Sequence, residues 1–166
     1  MREVELVGLR VEMPANTPVL LLKETEGTRV LPIWIGAVEA TAIAVVQQGL
    51  APQRPLTHDL LVQVIEATGH ALTAVSITGL NDGVFYAELE LSDGVSISAR
   101  PSDAVALAIR VSCPILCDEG VLDEAGVEGV PLVDDESGID ASQEEAAVEE
   151  FREFLDQVTP EDFEQS

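Results

Sequence analysis

The chain has 166 residues, 46% of them apolar, and a formal charge of −23 at pH 7; such a chain can build one hydrophobic core without disulfide or metal staples. No run of ~18 uninterrupted apolar residues occurs, and Met1-Arg2-Glu3 opens a strand-like pattern instead of a charged stretch followed by an apolar one, so the sequence reads as a cytoplasmic protein without a membrane span. The charge is uneven: residues 118–166 hold 18 acidic side chains against one base, Arg152, whereas the first 117 hold 13 acids and 7 bases, and such acidity opposes non-specific binding to nucleic acid, which draws on Lys and Arg.

Val4 to Met13 alternates imperfectly, Pro14-Ala15-Asn16 reads as a turn, and Pro18 to Lys23 and Arg29 to Ile35 continue as β-like runs, together a small antiparallel meander. Gly36 to Gln48 reads as a helix stopped by Gly49; its one charge, Glu39, is costly in an apolar helix unless paired or at an open face. Leu56 to Thr68 places Leu60, Leu61, Val64 and Ile65 on one helical face and closes at Gly69. Ala71 to Thr78, Val84 to Leu91 and Val95 to Ala99 are predicted strands, punctuated by Asn81-Asp82-Gly83 and Ser92-Asp93-Gly94 as tight turns. Alternation puts Phe85 and Tyr86 on opposite faces.

A third helix follows Arg100-Pro101-Ser102-Asp103 and ends near Ser112, with Ser102 as the expected N-cap and Asp103 complementing the helix dipole. Pro114 to Leu116 is compatible with a further short strand, and Cys113 and Cys117, with Pro114 between them, read as small buried thiols. The expected fold class is α+β: a mostly antiparallel sheet packed with three helices, then an acidic flexible segment over 118–142 and an amphipathic helix and tail over 143–166, after a core spanning 1–117.

Two segments share one design. Arg54-Pro55-Leu56-Thr57-His58-Asp59 and Arg100-Pro101-Ser102-Asp103 each run from Arg-Pro through a hydroxyl residue to Asp, then into an apolar helix. Phosphodiester hydrolysis commonly uses a carboxylate-held divalent ion with Arg or Lys stabilising the developing charge, and these segments supply such parts. Their plainer role is structural: Arg54 with Asp59, or Arg100 with Asp103, as ion pairs that fix the loops, with Glu39 paired to one of the arginines. There is no glycine-rich phosphate loop, G-x-S-x-G elbow, H-E-x-x-H or dinucleotide fingerprint.

In this order and spacing, Ile33-Trp34-Ile35-Gly36 with Glu39-Ala40, Arg54-Pro55-Leu56-Thr57-His58-Asp59-Leu60, and Ala99 to Arg110 resemble the bifunctional nuclease family, closest to its short actinobacterial-type members. The resemblance implies an α+β domain, often oligomeric, in a family named for DNase and RNase activity. It makes His58, Asp59 and Asp103 the candidate catalytic residues, Arg54, Arg100 and Ser102 the candidate phosphate-binding residues, and Glu39, Asp59 and Asp103 the candidate ligands of Mg²⁺ or Mn²⁺. A DNA or RNA substrate, a homo-oligomer without membrane association, and a C-terminal acidic helix that contacts a neighbouring subunit or partner protein complete that reading. The alternative is a non-catalytic oligomeric module in which the same clusters bind a small anion or a protein partner, favoured by the negative charge and the single lysine, Lys23.

Overall fold

A computed structural model describes residues 1–128, which carry eight strands and four helices. The first meander is β1 (Arg2–Glu12), β2 (Thr17–Glu24) and β3 (Arg29–Trp34); the second is β4 (Leu72–Asn81), β5 (Val84–Leu91) and β6 (Ser96–Ala99). The helices α1 (Ala37–Gln47) and α2 (Thr57–Ala67) link the two meanders, and α3 (Pro101–Val111) leads from the second to β7 (Ile115–Cys117). Strand β7 pairs antiparallel with β1 and parallel with β4, so it joins both meanders into one sheet of order β6-β5-β4-β7-β1-β2-β3-β8.

The sheet is thus mostly antiparallel, with one parallel pair that local patterning could not reveal because its strands are separated by a meander and a helix. At the β4–β5 turn both central residues, Asp82 and Gly83, have positive φ, the backbone that a two-residue hairpin matched to strand twist requires. Phe85 packs against the core while Tyr86 is exposed, as the alternation predicts.

The core forms where α3 lies on the sheet. Ala104, Val105, Ala106, Leu107 and Ala108 are fully buried and join Leu20, Leu22, Leu31, Val75, Ile77 and Leu89 of the strands. Three alanines on that helix let its backbone approach its neighbours closely, and it packs against α1, α2, β4 and β5.

Two expectations change. Ser102 is not the N-cap of α3: Arg100 holds that position without a side-chain cap, Pro101 is the first helical residue, and Ser102 is buried in the first turn. Proline is suited to that first position because its missing N–H would have had no intrahelical partner. The segment from 118 does not begin as a flexible linker: α4 (Glu119–Ala125) and β8 (Val127–Glu128) continue the domain. Asp118 accepts a hydrogen bond from the Gly120 amide at 2.8 Å, and Val121 and Leu122 enter the core, so a capped turn with two apolar anchors outweighs the acidic composition. The rest of the 118–142 segment and the amphipathic helix over 143–166 lie outside the described residues.

A second lock ties α4 to the strands. Glu24 is buried, and Arg29 reaches it with two hydrogen bonds of 3.0 Å, from Nε to Oε2 and from Nη2 to Oε1. Arg29 Nη1 also donates to Asp123 on α4, while Arg2 at the start of β1 pairs with Glu119. Gly27 belongs to this lock: a β-carbon there would collide with the Glu24 carboxylate.

Candidate functional site

Three helix starts converge. Glu39 stands in the first turn of α1, His58 in that of α2, and Asp103 in that of α3, with Arg100 just ahead of α3. Carboxylates are favoured at such positions by the partial positive charge of the helix N-terminus. Arg100 bridges two of the starts: its Nη1 lies 2.9 Å from Glu39 Oε1, and it holds Asp103 through Nε to Oδ2 at 2.7 Å and Nη2 to Oδ1 at 3.1 Å. His58 Nε2 lies 3.1 Å from Asp103 Oδ1.

Asp59, one residue beyond His58, belongs to a different pair. Its Oδ1 accepts from Arg110 Nε at 2.5 Å and its Oδ2 from the Leu56 amide at 2.8 Å. Arg110 is almost wholly buried and also donates to the carbonyls of Ala106, at 2.7 Å, and Ala42, at 3.1 Å. One guanidinium therefore fixes the start of α2, the middle of α1 and the end of α3. The two Arg-Pro segments are not equivalent: Arg100 pairs with its own Asp103, whereas Arg54 is exposed, makes no ion pair within the described residues, and leaves Asp59 to Arg110.

Sequence reasoning did not single out Arg110 as a partner of this site, although its position seven residues after Asp103 in an apolar helix is the signal: a cation on such a helix needs a carboxylate.

The junction opens into a groove of about 1070 Å³. Val38 and Val45 of α1, Leu61 and Ile65 of α2, Leu89 of β5 and Leu107 of α3 make it largely apolar, while Glu39, His58, Arg100 and Asp103 form its polar edge. Neither Arg54 nor Asp59 lines it. Ser102 faces a smaller pocket on the far side of Arg100.

Charge states follow from these contacts. Burial pushes the Asp103 carboxyl up, but the hydrogen bonds from Arg100 and His58 outweigh it and hold the group below the usual carboxylate range. Asp59 is likewise lowered, Arg110 and the Leu56 amide overcoming the effect of burial. The hydrogen bonds and charges of Asp103 and Glu39 raise the Arg100 guanidinium further. Three of its five N–H groups meet carboxylates, which leaves two for a ligand.

Residues 20–129 match the bifunctional nuclease domain. The chain belongs to the bifunctional nuclease domain family. Among its relatives in that family are bifunctional nuclease 1 of Oryza sativa subsp. japonica, 24% identical over 142 residues that make up 81% of this chain and 43% of the rice protein, and bifunctional nuclease 1 of Arabidopsis thaliana, 27% identical over 108 residues, 61% of this chain and 33% of the plant one. An uncharacterized protein of Mycobacterium tuberculosis is 53% identical over 165 residues, covering 98% of both chains.

The seven candidate residues are placed as follows. Glu39, His58, Arg100 and Asp103 meet at one end of the groove, Asp59 turns away to Arg110, Ser102 is buried behind Arg100, and Arg54 stays exposed. Among the described residues no group of three His, Cys, Asp or Glu side chains stands close enough together to hold a metal ion. No described helix is long and apolar enough to cross a membrane.

Proposed function

We propose that the chain hydrolyses phosphodiester bonds of DNA or RNA at the edge of the groove, with His58 as the proton-transfer group. The observation that carries this is the 3.1 Å contact between His58 Nε2 and Asp103 Oδ1 beside Arg100. A carboxylate on one ring nitrogen fixes the tautomer and orientation of an imidazole, leaving Nδ1 as the atom that exchanges protons. In the proposed step Nδ1 takes a proton from the attacking water oxygen as that oxygen bonds to phosphorus. The leaving oxygen departs with the electrons of the broken P–O bond and takes a proton from solvent water, and His58 returns to solvent the proton it accepted. Arg100 meets the phosphate with its two remaining N–H groups, where charge grows in the transition state.

Mg²⁺ or Mn²⁺ does not fit the carboxylates as they stand: Glu39 and Asp103 face one guanidinium and Asp59 another, so no step is assigned to an ion. The acidic chain is suited to a substrate held through few phosphates, since each phosphate contact on a duplex depends on Lys or Arg.

The test is cleavage of labelled single-stranded RNA and double-stranded DNA at low salt by tag-free protein, with Mg²⁺, Mn²⁺ or EDTA, beside folded His58→Ala protein. Cleavage by wild type and its loss in His58→Ala is the expected result, and persistence in EDTA separates a histidine mechanism from a metal-dependent one. Equal cleavage by both proteins, or none by either, overturns the reading.

A second reading, a module that self-associates, is favoured by α1. Its sequence, Ala37 to Gln47, is apolar almost all round, yet Ile43 is its only buried residue. A helix of that kind is ordinarily covered on every side. Val38 is 80% exposed, and Leu60 and Val64 of α2 add two more exposed apolar residues, a strip that a second copy of the chain would bury. Sedimentation of wild type and Val64→Asp tests it: an oligomer dissociated by the substitution supports the reading, and a wild-type monomer rejects it.

A further inference from the structure

We infer that Trp34 is the platform on which an unpaired nucleobase stacks, in a pocket separate from the apolar groove and joined to it through Arg100. Trp34 is the only tryptophan of the chain, and it takes no part in the core. Its neighbours Ile33 and Ile35 are buried, while Trp34, on the opposite face of the strand, is 54% exposed. Its ring is nonetheless held in place: Nε1 donates to Glu12 Oε2 at 2.5 Å, across from the end of β1. An exposed indole pinned by its polar edge presents a flat apolar face of fixed orientation, at the hydrophobic cost of leaving that face in water.

Trp34 lines a pocket of about 280 Å³ with Phe85 and Val84 from the β4–β5 hairpin, and Glu39 and Arg100 belong to the walls of both this pocket and the large groove. A chain of nucleotides crossing Arg100 would thus set a base against Trp34 on one side and the neighbouring phosphodiester beside His58 on the other. Stacking eases the charge problem, because a base on an aromatic ring adds affinity largely without regard to sequence, on top of what cations give the backbone. A duplex, whose bases are already stacked and paired, gains nothing from such a platform.

This inference rests on the phosphodiester reading for the direction of the strand but not for the stacking itself, so binding is measured in His58→Ala protein, where hydrolysis does not intervene. The fluorescence of Trp34 is read during titration at low salt with a short oligodeoxythymidylate, its RNA counterpart, the matching duplex and inorganic phosphate. The expected result is saturable quenching by both single strands, little by the duplex and none by phosphate. Affinity, followed by anisotropy of a labelled strand, should fall about tenfold in Trp34→Leu and be largely retained in Trp34→Phe.

Quenching with this pattern while wild type fails to cleave leaves the stacking site standing and rejects the catalytic reading. Cleavage by wild type with no quenching, or with Trp34→Leu binding as well as its parent, does the reverse. Absence of any single-strand binding, or equal loss in Trp34→Phe and Trp34→Leu, overturns the inference.

Discussion

The carboxylate of Glu39 lies in the space that a β-carbon on Gly36 would fill. Gly36 has an ordinary extended backbone, φ −73° and ψ 156°, so the glycine is required there by space and not by conformation. Its bareness lets Glu39 fold back over the start of α1 and reach Arg100.

Gly36→Ala should therefore fold, because the displaced atoms are the free end of a flexible side chain, but Glu39 should lose its place against Arg100. The expected outcome is a melting temperature within a few degrees of wild type with kcat/KM reduced about ten- to a hundredfold, the scale on which a misplaced group slows a reaction. Thermal unfolding and cleavage kinetics on one preparation check both. Unchanged kinetics would mean that Glu39 does not position Arg100.

Arg110→Met should be the most destabilising single change at the helix junction. It strips Asp59 of its partner and leaves the Ala42 and Ala106 carbonyls without their donor, and removing one member of such a buried network costs about 3 kcal/mol. Urea unfolding measures it. Arg54→Met, at an exposed position outside every ion pair of the described residues, should stay within about 0.5 kcal/mol; equal losses in the two variants would show that the Asp59 pair is not the lock.

The acid limb of stability has a definite sign. Hydrogen bonds from Arg29 lower the Glu24 carboxyl, and Asp59 and Asp103 are lowered by their arginines against the opposing effect of burial. A carboxylate depressed in the native state adds stability that is fully present above its unfolded pKa of ~4 and is lost as the pH falls through the native value. Urea midpoints should be nearly level from about pH 7 to 5 and fall below about pH 4. Asp59→Asn and Glu24→Gln should lower the plateau and flatten the fall, whereas an unaltered acid limb in both variants would place its origin elsewhere.

Burial pushes the Cys117 thiol up to about 12 and raises Cys113 as well. At pH 8 roughly one Cys117 in ten thousand is then a thiolate, the form that reacts. A disulfide reagent should label Cys117 in the native protein only at the rate of unfolding, and both cysteines at once in urea. Rapid native labelling of Cys117 would show that β7 opens without global unfolding.

Most of the elements were legible from local rules. Val84 to Leu91 has the limits of β5, and Gly36, Gly49 and Gly69 mark helix ends correctly, because turn chemistry and periodicity act over a few residues. The short helix α4 escaped because seven residues are too few to show a period and its acidic setting resembled a linker. The grouping of Glu39, His58 and Asp103 was suggested by their common place at helix starts, but the partner of each was not: Arg54 and Arg100 looked alike, and of the two only Arg100 forms an ion pair among the described residues.

The sequence alone determined where most strands and helices lie and the family to which the chain belongs, since those depend on propensities, capping, spacing and ordered motifs. The tertiary structure decided what local rules cannot reach: that β7 joins two meanders, that Arg110 takes Asp59 from across 51 residues, that Arg100 serves Glu39 and Asp103 together, and that Trp34 remains outside the core. Ion-pair partners and exposed faces are set by how α1, α2 and α3 pack on the sheet, a long-range balance of burial, space and charge that no short window of sequence contains.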